Sequence, residues 1–341
     1  MMADRPLQVG IVGAGYWGKN LLRTFGKLAT ARIAEVCDLD PKLLDAAKKE
    51  HPDARTGGDL AAMLARPDLD AILVATPPSR HHAMALAALR AGKHVWVEKP
   101  LALTAAEGSE LVATADAAGK TVFVDETFLY DPLVREMKKV IDAGEMGEVF
   151  HLSFERLGMG RIRRDSNVWW NSAPHDLSIL FYLVPRPVKA VRLHLHTYLQ
   201  PGVADMAVCD LELEGGVTAH VYLSWLHPEK TATVTVVGRD RMLAYEGRFE
   251  KRAITLFDYA IDLHLPSGTA SGGVPIVPIT KFEGRKLDVA LGTEPLAAAA
   301  EHFVDCIRQG REPLTSGARS LRVVETLEIA DATAVRSGKL A

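Results

Sequence analysis

The sequence predicts an α/β protein with an N-terminal doubly wound parallel sheet and a C-terminal α+β domain built on a largely antiparallel sheet. Three observations support this prediction. Strands alternate with helices over the first third, a glycine-rich loop follows the first strand, and later strands succeed one another without helices. At 341 residues the chain is long enough for two domains, which we place at residues 1–126 and 127–341.

In the first domain, short apolar runs alternate with stretches that have helical periodicity. The predicted strands are Leu7–Val12, Ile33–Asp38, Ala71–Ala75, His94–Glu98 and Thr121–Asp125. The predicted helices are Tyr16–Leu28, Pro41–Glu50, Asp59–Ala65, Arg80–Ala91 and Thr104–Ala118. Thr104 and Glu107 have the spacing of a capping box, which marks a helix start.

In the second domain, strand patterns dominate after two helices. The predicted helices are Pro132–Ala143 and Ala173–Leu183, and later Glu294–Gln309 and Arg319–Ser337, which we expect to pack back on the body of the protein. The predicted strands are Gly147–Leu157, Val188–Tyr198, Met206–Leu213, Val217–Trp225, Thr231–Val237 and Arg241–Tyr245. Consecutive strands without intervening helices favour an antiparallel sheet.

The composition excludes several classes of protein. The formal net charge is −3 and no basic stretch is present, so we exclude nucleic acid as a partner. No apolar run approaches the roughly 20 residues of a membrane-spanning helix, and the first residues are too polar for a signal peptide. The 3 cysteines lie far apart, which argues against disulfides and a metal site. We therefore expect a cytoplasmic protein that does not contact the membrane.

A glycine-rich loop follows the first predicted strand and opens a helix. Gly13, Gly15 and Gly18 fit the pattern G-x-G-x-x-G, in which the glycines permit a tight turn, approach of a pyrophosphate, and helix packing. The N–H groups and dipole at the helix start attract phosphates. Asp38 ends the second strand, where a carboxylate binds ribose hydroxyls and repels a 2′-phosphate. The pattern predicts NAD rather than NADP, with Asp40 as an alternative carboxylate for this role.

A carboxylate, an amine and a proline end the fourth predicted strand at Glu98, Lys99 and Pro100. Ligands of open α/β sheets bind outside the carboxyl ends of the strands. A lysine there can hold a substrate hydroxyl and share its proton as hydride leaves, and partial burial lowers the pKa of such an amine. Pro100 restricts the backbone of Lys99, a role that suits a cis peptide bond. Taken alone, the triplet is better explained by two exposed charges before a proline at a helix start.

Together these motifs resemble the Gfo/Idh/MocA family of oxidoreductases. The resemblance rests on the Glu98–Pro100 triplet, the loop Gly13–Gly18, and the runs Ala75–His81 and Ala91–His94. It implies a Rossmann domain that binds NAD, with Lys99 as the active-site lysine. It also implies cofactor contacts from Tyr16, Trp17, Thr76, Pro77, His81 and Glu98. The open face of the second domain's sheet would then support a homodimer or homotetramer.

The second domain carries the other predicted acid–base residue, His175. Asn171 precedes His175 by one helical turn, so that both side chains can face one site, and an imidazole there can take a hydroxyl proton. His175 matches the histidine of the family's Asp-x-x-x-His motif. Asn171 departs from that motif, because an amide carries neither a proton nor a negative charge. A second departure is Glu126, where a similar subgroup of the family has histidine.

That subgroup consists of sugar-nucleotide dehydrogenases related to UDP-N-acetylglucosamine 3-dehydrogenase, and it shares the run Thr127–Tyr130. The resemblance implies that Tyr130 and Asn171 contact substrate. Arg156 and Arg163 could make bidentate contacts with an anionic sugar nucleotide, although each arginine alone is more typical of a solvated loop. The sequence thus predicts an NAD-dependent oxidoreductase acting on a secondary hydroxyl or keto group of a sugar or sugar nucleotide. The alternatives are a free-polyol dehydrogenase and a cofactor-binding protein that has lost turnover.

Overall fold

The computed structural model describes residues 5–160, 162–247, 251–261, 268–269, 275–277 and 279–340. The chain divides into two compact units. Unit 1 comprises residues 1–131 and 292–328, and unit 2 comprises residues 132–291 and 329–341. Unit 1 thus runs to Asp131, whereas the sequence predicts a domain boundary after Glu126, and unit 1 also includes a C-terminal segment.

The helices and strands are numbered here along the chain. The α-helices are α1 (Gly18–Phe25), α2 (Pro41–Glu50), α3 (Leu60–Leu64), α4 (His81–Arg90), α5 (Ala105–Ala118), α6 (Pro132–Asp142), α7 (Val168–Leu183), α8 (Pro295–Gln309) and α9 (Gly317–Ala332). The strands in unit 1 are β1 (Leu7–Val12), β2 (Ala31–Cys37), β3 (Arg55–Gly57), β4 (Ala71–Val74), β5 (His94–Val97) and β6 (Val122–Val124). The strands in unit 2 are β7 (Val149–Leu157), β8 (Val188–His196), β9 (Met206–Leu213), β10 (Thr218–Ser224), β11 (Thr231–Gly238), β12 (Arg241–Glu246), β13 (Ala253–Ile261), β14 (Gly268–Thr269), β15 (Pro275–Ile276), β16 (Ile279–Lys286) and β17 (Val335–Ser337).

Unit 1 is built on a parallel sheet in the order β3-β2-β1-β4-β5-β6. This is the doubly wound order, in which ligands bind at the carboxyl ends of the strands near the reversal between β1 and β4. The predicted parallel fold is confirmed. The prediction missed β3, because its three residues, Arg-Thr-Gly, carry no apolar signal.

Two features explain where the helices of unit 1 begin. The side chains of Asp40, Asp59 and Thr104 accept hydrogen bonds from backbone N–H groups and cap α2, α3 and α5. The predicted capping box is present, although the Glu107 carboxylate reaches back to the N–H of Leu103.

An aromatic cluster explains why helix α8 belongs to unit 1. Trp96 of β5 stacks on Phe123 of β6 with 4.2 Å between ring centroids. Phe303 of α8 meets Trp96 edge-on at 5.6 Å, and all three rings are fully buried. Each such pair contributes about 1 kcal/mol beyond its buried area. The apolar face of α8 thus packs against the sheet of unit 1 and completes its core. It does so although α8 lies far from β5 and β6 in the sequence.

Unit 2 contains a sheet in the order β16-β13-β12-β11-β7-β10-β9-β8-β17. Most neighbouring strands are antiparallel, as predicted, whereas β7–β10 and β8–β17 are parallel pairs. Three sequence predictions need correction. The sequence missed the long strands β13 and β16, and the last predicted helix ends at Ala332, after which Val335–Ser337 joins the sheet.

Helix α7 begins at Val168, not at Ala173 as predicted. The Asn167 side chain accepts a hydrogen bond from the Trp170 N–H at 3.0 Å and caps the helix. Val168 and Trp169 are buried in the first turn, and Pro174 lies inside the helix. Of the helices that the structure describes, none is both long and apolar enough to cross a bilayer.

Candidate active site

The glycine-rich loop joins β1 to α1 at the carboxyl edge of the unit 1 sheet. Gly13 has a positive φ of 91°, and a Cβ atom there would lie 2.8 Å from the carbonyl oxygen of Ala75. A Cβ atom on Gly18 would collide with the carbonyl oxygen of Gly13. A Cβ atom on Gly15 would meet nothing within 4 Å. Two glycines are therefore required by packing, whereas the third leaves an open space beside the backbone, as a pyrophosphate cradle requires.

The structure assigns different tasks to the two carboxylates after β2. The carboxylate of Asp38 accepts hydrogen bonds from the N–H groups of Ala14 at 2.7 Å and Asp40 at 2.9 Å. Asp40 caps α2 by accepting from the Lys42 N–H at 2.9 Å. Asp38 thus ties the glycine-rich loop to the end of β2. Its half-buried oxygens keep lone pairs that ribose hydroxyls can use.

The turn after β4 carries the hydroxyl group of Thr76 and leads into the buried side chain of His81. The Thr76 Oγ1 atom is buried and has no hydrogen-bond partner among the described residues, whereas Pro77 is exposed. The ring nitrogens of His81 lie 2.8 Å from the carbonyl oxygen of Pro100 and 2.9 Å from that of Thr76. His81 is fully buried and connects the turn after β4 to the loop at Pro100, while its contact with a cofactor stays a prediction.

The Glu98–Lys99–Pro100 triplet follows β5 at the same edge. Its Lys99–Pro100 peptide bond is cis, which confirms that prediction. Lys99 is partly buried, and Glu98 is buried with its Oε1 atom lacking a hydrogen-bond partner among the described residues. Burial raises the pKa of Glu98 well above its usual value, and contact with Asp125 raises it further, while the charge of Lys99 opposes the shift.

Asp125 is a residue of this site that the sequence analysis missed. It follows β6 and is 1% exposed. The Trp17 indole N–H donates to its Oδ2 at 3.0 Å, and the Thr127 hydroxyl donates to its Oδ1 at 2.6 Å. The available signal was an acidic residue directly after a buried strand of the parallel sheet. Trp17 is thereby held within the site, while Tyr16 beside it is 65% exposed.

The next residue, Glu126, is also buried. Burial raises its pKa to about 8, the hydroxyl of Ser320 opposes the shift, and the charge of Asp125 adds to it. The Glu126 carboxyl group is therefore largely protonated at neutral pH. It adds no full negative charge beside Asp125.

Glu126 gives the stability of the protein a predicted pH dependence. Its pKa of about 8 in the folded chain lies above the ordinary value of 4.5. The stabilising contribution of the protonated group is full below the ordinary pKa and is lost as the pH rises through the folded value, a change of at least about 2 kcal/mol. Urea unfolding between pH 4.5 and pH 9 measures this, and Glu126→Gln should flatten the curve. Equal pH slopes in both proteins would contradict the assignment.

Tyr130, for which the sequence predicts a substrate contact, lies in the core of unit 1. Tyr130 is 2% exposed, and its ring stacks on Phe123 and lies 5.5 Å from the ring of His302. Its hydroxyl lies 3.5 Å from that of Thr315. The side chain belongs to the aromatic core of unit 1, because the short helical turn after Glu126 directs it inward.

In unit 2, the helix α7 carries Asn171 and His175 four residues apart. Both residues are partly buried, and the helical spacing places them on one face, as predicted. The adjacent Asp176 is buried and forms a bidentate ion pair with Arg156 at 2.7 and 3.0 Å.

The two predicted arginine contacts are engaged within unit 2. The Arg156 guanidinium holds Asp176, which leaves it less available to a substrate phosphate than the sequence suggested. Arg163 forms an exposed bidentate pair with Asp165 at 2.6 and 2.8 Å. The pairing of Arg156 with Asp176 joins two different elements and depends on the fold, whereas Asp165 lies only two residues after Arg163. Among the described residues, no group of three or more His, Cys, Asp or Glu side chains is arranged to hold a metal ion.

Comparisons with known proteins agree with this architecture. The profile "Oxidoreductase family, NAD-binding Rossmann fold" matches residues 7–126, and the "GFO/IDH/MocA C-terminal domain" matches residues 134–244. Inositol 2-dehydrogenase 2 of Saccharopolyspora erythraea is 32% identical over 223 residues. That alignment spans 63% of this chain and 66% of the relative.

Two solved structures share the fold over nearly the whole chain. UDP-N-acetylglucosamine 3-dehydrogenase GnnA of Acidithiobacillus ferrooxidans has a TM-score of 0.82 at 22% identity, covering 96% of this chain and 97% of its own. The WlbA dehydrogenase of Bordetella pertussis, solved with NADH and UDP-GlcNAcA, has a TM-score of 0.78 at 23% identity, covering 96% of both chains. At these identities the likeness establishes the fold.

Proposed function

The chain belongs to the Gfo/Idh/MocA oxidoreductase family, and from that premise we propose that it transfers a hydride between NAD and a secondary hydroxyl or keto group of a sugar or sugar nucleotide. One observation carries the proposal. The open cradle at Gly15, the carboxylate of Asp38 and the amine of Lys99 all follow strands of one parallel sheet, at its carboxyl edge.

The residues of unit 1 fit a dinucleotide. Gly15 leaves room for the pyrophosphate, and the carboxylate of Asp38 accepts ribose hydroxyls and repels a 2′-phosphate. The buried oxygens Thr76 Oγ1 and Glu98 Oε1 have no hydrogen-bond partner among the described residues, and they supply polar contacts for the nicotinamide half. These features support NAD over NADP.

The proposed chemistry is a proton transfer coupled to hydride transfer. When bound, NAD accepts the hydride from the carbinol carbon. Lys99 holds the substrate hydroxyl and takes up or shares its proton, and His175 acts as a further acid–base residue. Asn171 offers hydrogen bonds to the sugar without carrying charge. The Gfo/Idh/MocA family supports a homodimer or homotetramer as the assembly.

Two substrate classes remain in the proposal. The alignment with an inositol dehydrogenase favours a free polyol, and the fold shared with two sugar-nucleotide dehydrogenases favours a nucleotide sugar. Arg156 and Arg163 both form ion pairs within the protein, so they give weaker support to an anionic substrate than the sequence suggested. A third possibility is a protein that binds the cofactor but has lost turnover. Asn171 suggests it, because an amide replaces the ionisable aspartate of the family motif.

The decisive experiment combines cofactor titration with a substrate screen. We expect NADH to bind more tightly than NADPH, and Asp38→Asn to reduce that preference by about tenfold, since a charged hydrogen bond and a charge repulsion are lost. Asp45→Asn, an exposed aspartate of α2, is the matched control.

The screen follows NADH absorbance with UDP-sugars, dTDP-sugars and free polyols. Turnover on a nucleotide sugar together with inhibition by UDP supports the first class, and turnover on inositol without such inhibition supports the second. NADH binding without turnover on any of them would overturn the enzymatic proposal. Failure to bind either cofactor would overturn the cofactor proposal as well.

A further inference from the structure

An ion pair with a buried carboxylate joins helix α7 to strand β7 beside His175. Arg156 lies on the face of β7 that also carries the fully buried Leu152 and Phe154. Its guanidinium donates two hydrogen bonds to the carboxylate of Asp176, from Nε to Oδ2 at 3.0 Å and from Nη2 to Oδ1 at 2.7 Å. Asp176 is 1% exposed. Because the guanidinium is planar and makes two bonds, it fixes the direction of the Asp176 side chain as well as its distance.

Helix α7 is interrupted at the turn that carries Asn171 and His175. Pro174 lies inside the helix and has no N–H, so the carbonyl group of Trp170 loses its helical hydrogen bond. Asn171 and His175 lie on either side of that proline. The backbone alone therefore holds this turn less firmly than it holds a regular helix.

Side-chain contacts within unit 2 hold α7 on both sides of the proline. Before it, the Trp170 indole N–H donates to Oδ2 of Asp331 at 2.9 Å. After it, Arg156 holds Asp176, the residue next to His175. Successive side chains of a helix point about 100° apart, so an Asp176 fixed against the sheet also fixes the direction in which His175 points.

We propose that Arg156 is a positioning residue which, through its ion pair with Asp176, sets the rotation of α7 about its axis and thereby the direction of the His175 imidazole. The inference rests on the proposed acid–base role of His175 and extends it by naming what holds that residue in place. Apolar side chains of similar volume often join two elements as stably as a buried ion pair does. The ion pair adds a fixed direction, which apolar packing does not supply.

The substitution Arg156→Lys tests the proposal in a folded protein. Lysine keeps a positive charge beside Asp176 but lacks the planar group that makes two parallel bonds. We expect cooperative thermal unfolding, an unchanged dissociation constant for NADH, and a kcat that is lower by about tenfold or more on the substrate found in the screen. A folded Arg156→Lys variant with the natural kcat would overturn the proposal.

The double variant Arg156→Met with Asp176→Leu separates positioning from stability. Each single substitution leaves the other charge buried without its partner and should lower the Tm. The double variant replaces both charges by apolar groups and should recover most of that loss. We expect its kcat to stay about 10²-fold below the natural value despite the recovered Tm. Recovery of both Tm and kcat would show that the pair serves stability alone and would overturn the proposal.

The matched control is Lys139→Met with Glu136→Leu, which removes the same two charges from an ion pair of 2.8 Å on helix α6. The side chain of Lys139 is 73% exposed, and this double variant should keep the natural kcat. A fall of kcat in the control equal to that in Arg156→Met with Asp176→Leu would overturn the proposal, because any lost ion pair of unit 2 would then have the same effect.

Crystal structures of the natural protein and Arg156→Lys provide a readout that needs no substrate. The His175 imidazole should move by more than about 0.5 Å relative to the backbone of β7, which is the tolerance of a catalytic arrangement. An imidazole in the same place in both structures would overturn the proposal. If the natural protein turns over no substrate, the proposed function fails, and these two structures alone still decide the inference.

Discussion

Lys99→Met is expected to lower turnover by about 10²–10⁴-fold while changing the affinity for NADH by less than about tenfold. Lys99 is partly buried at the carboxyl end of β5, where a substrate hydroxyl in an open α/β sheet would lie. Methionine retains much of the side-chain volume and cannot exchange a proton. The loss should therefore appear in the chemical step rather than in cofactor binding.

Steady-state kinetics on the substrate found in the screen, together with NADH titration, measures this loss. Lys49→Met is the control, because Lys49 is an exposed lysine at the end of α2 and its removal changes the net charge by the same amount. A Lys99→Met variant that keeps more than about a tenth of the turnover would exclude Lys99 as the acid–base residue. A large loss of NADH affinity would instead assign it to cofactor binding.

Gly18→Ala is expected to destabilise the protein by about 3 kcal/mol or more and to abolish NADH binding. The added methyl group would collide with the carbonyl oxygen of Gly13 and lie 2.9 Å from its carbonyl carbon. Both groups are backbone within a tight turn, so neither can move aside as a flexible side chain would. Relief of the clash requires α1 to move away from β1, which opens the phosphate cradle.

Gly15→Ala separates stability from binding at the same loop. No atom lies within 4 Å of the added methyl group, so the free energy of unfolding should stay within about 0.5 kcal/mol of the natural value. The methyl group would occupy the space proposed for the pyrophosphate, and NADH affinity should fall by at least about tenfold. Thermal unfolding and NADH titration of both variants check the pair. Unchanged NADH affinity in Gly15→Ala would place the pyrophosphate elsewhere.

The sequence alone determined the architecture of unit 1. Alternating strand and helix periodicity predicted β1, β2, β4, β5 and β6 to within about two residues at each end, and the doubly wound parallel sheet follows from that alternation. Gly13 and Gly18 were predictable because the positive φ of Gly13 and the close approach of Gly18 to Gly13 arise within one turn. Short-range sterics and capping are encoded over a few residues, and so they can be recognised without the fold.

Only the tertiary structure decided which polar and aromatic side chains are available to a ligand. Tyr130 lies in a core that α8 completes, and Arg156 forms an ion pair with Asp176. The ring nitrogens of His81 lie within hydrogen-bond distance of carbonyl groups in two loops. Asp125 joined the site through Trp17, its neighbour across 108 residues of chain. Hydrophobic periodicity in the sequence identifies which face of a helix or strand is buried. It does not identify the element that packs against that face. Pairing between distant residues depends on strand order and helix packing, which arise only when the whole chain has folded.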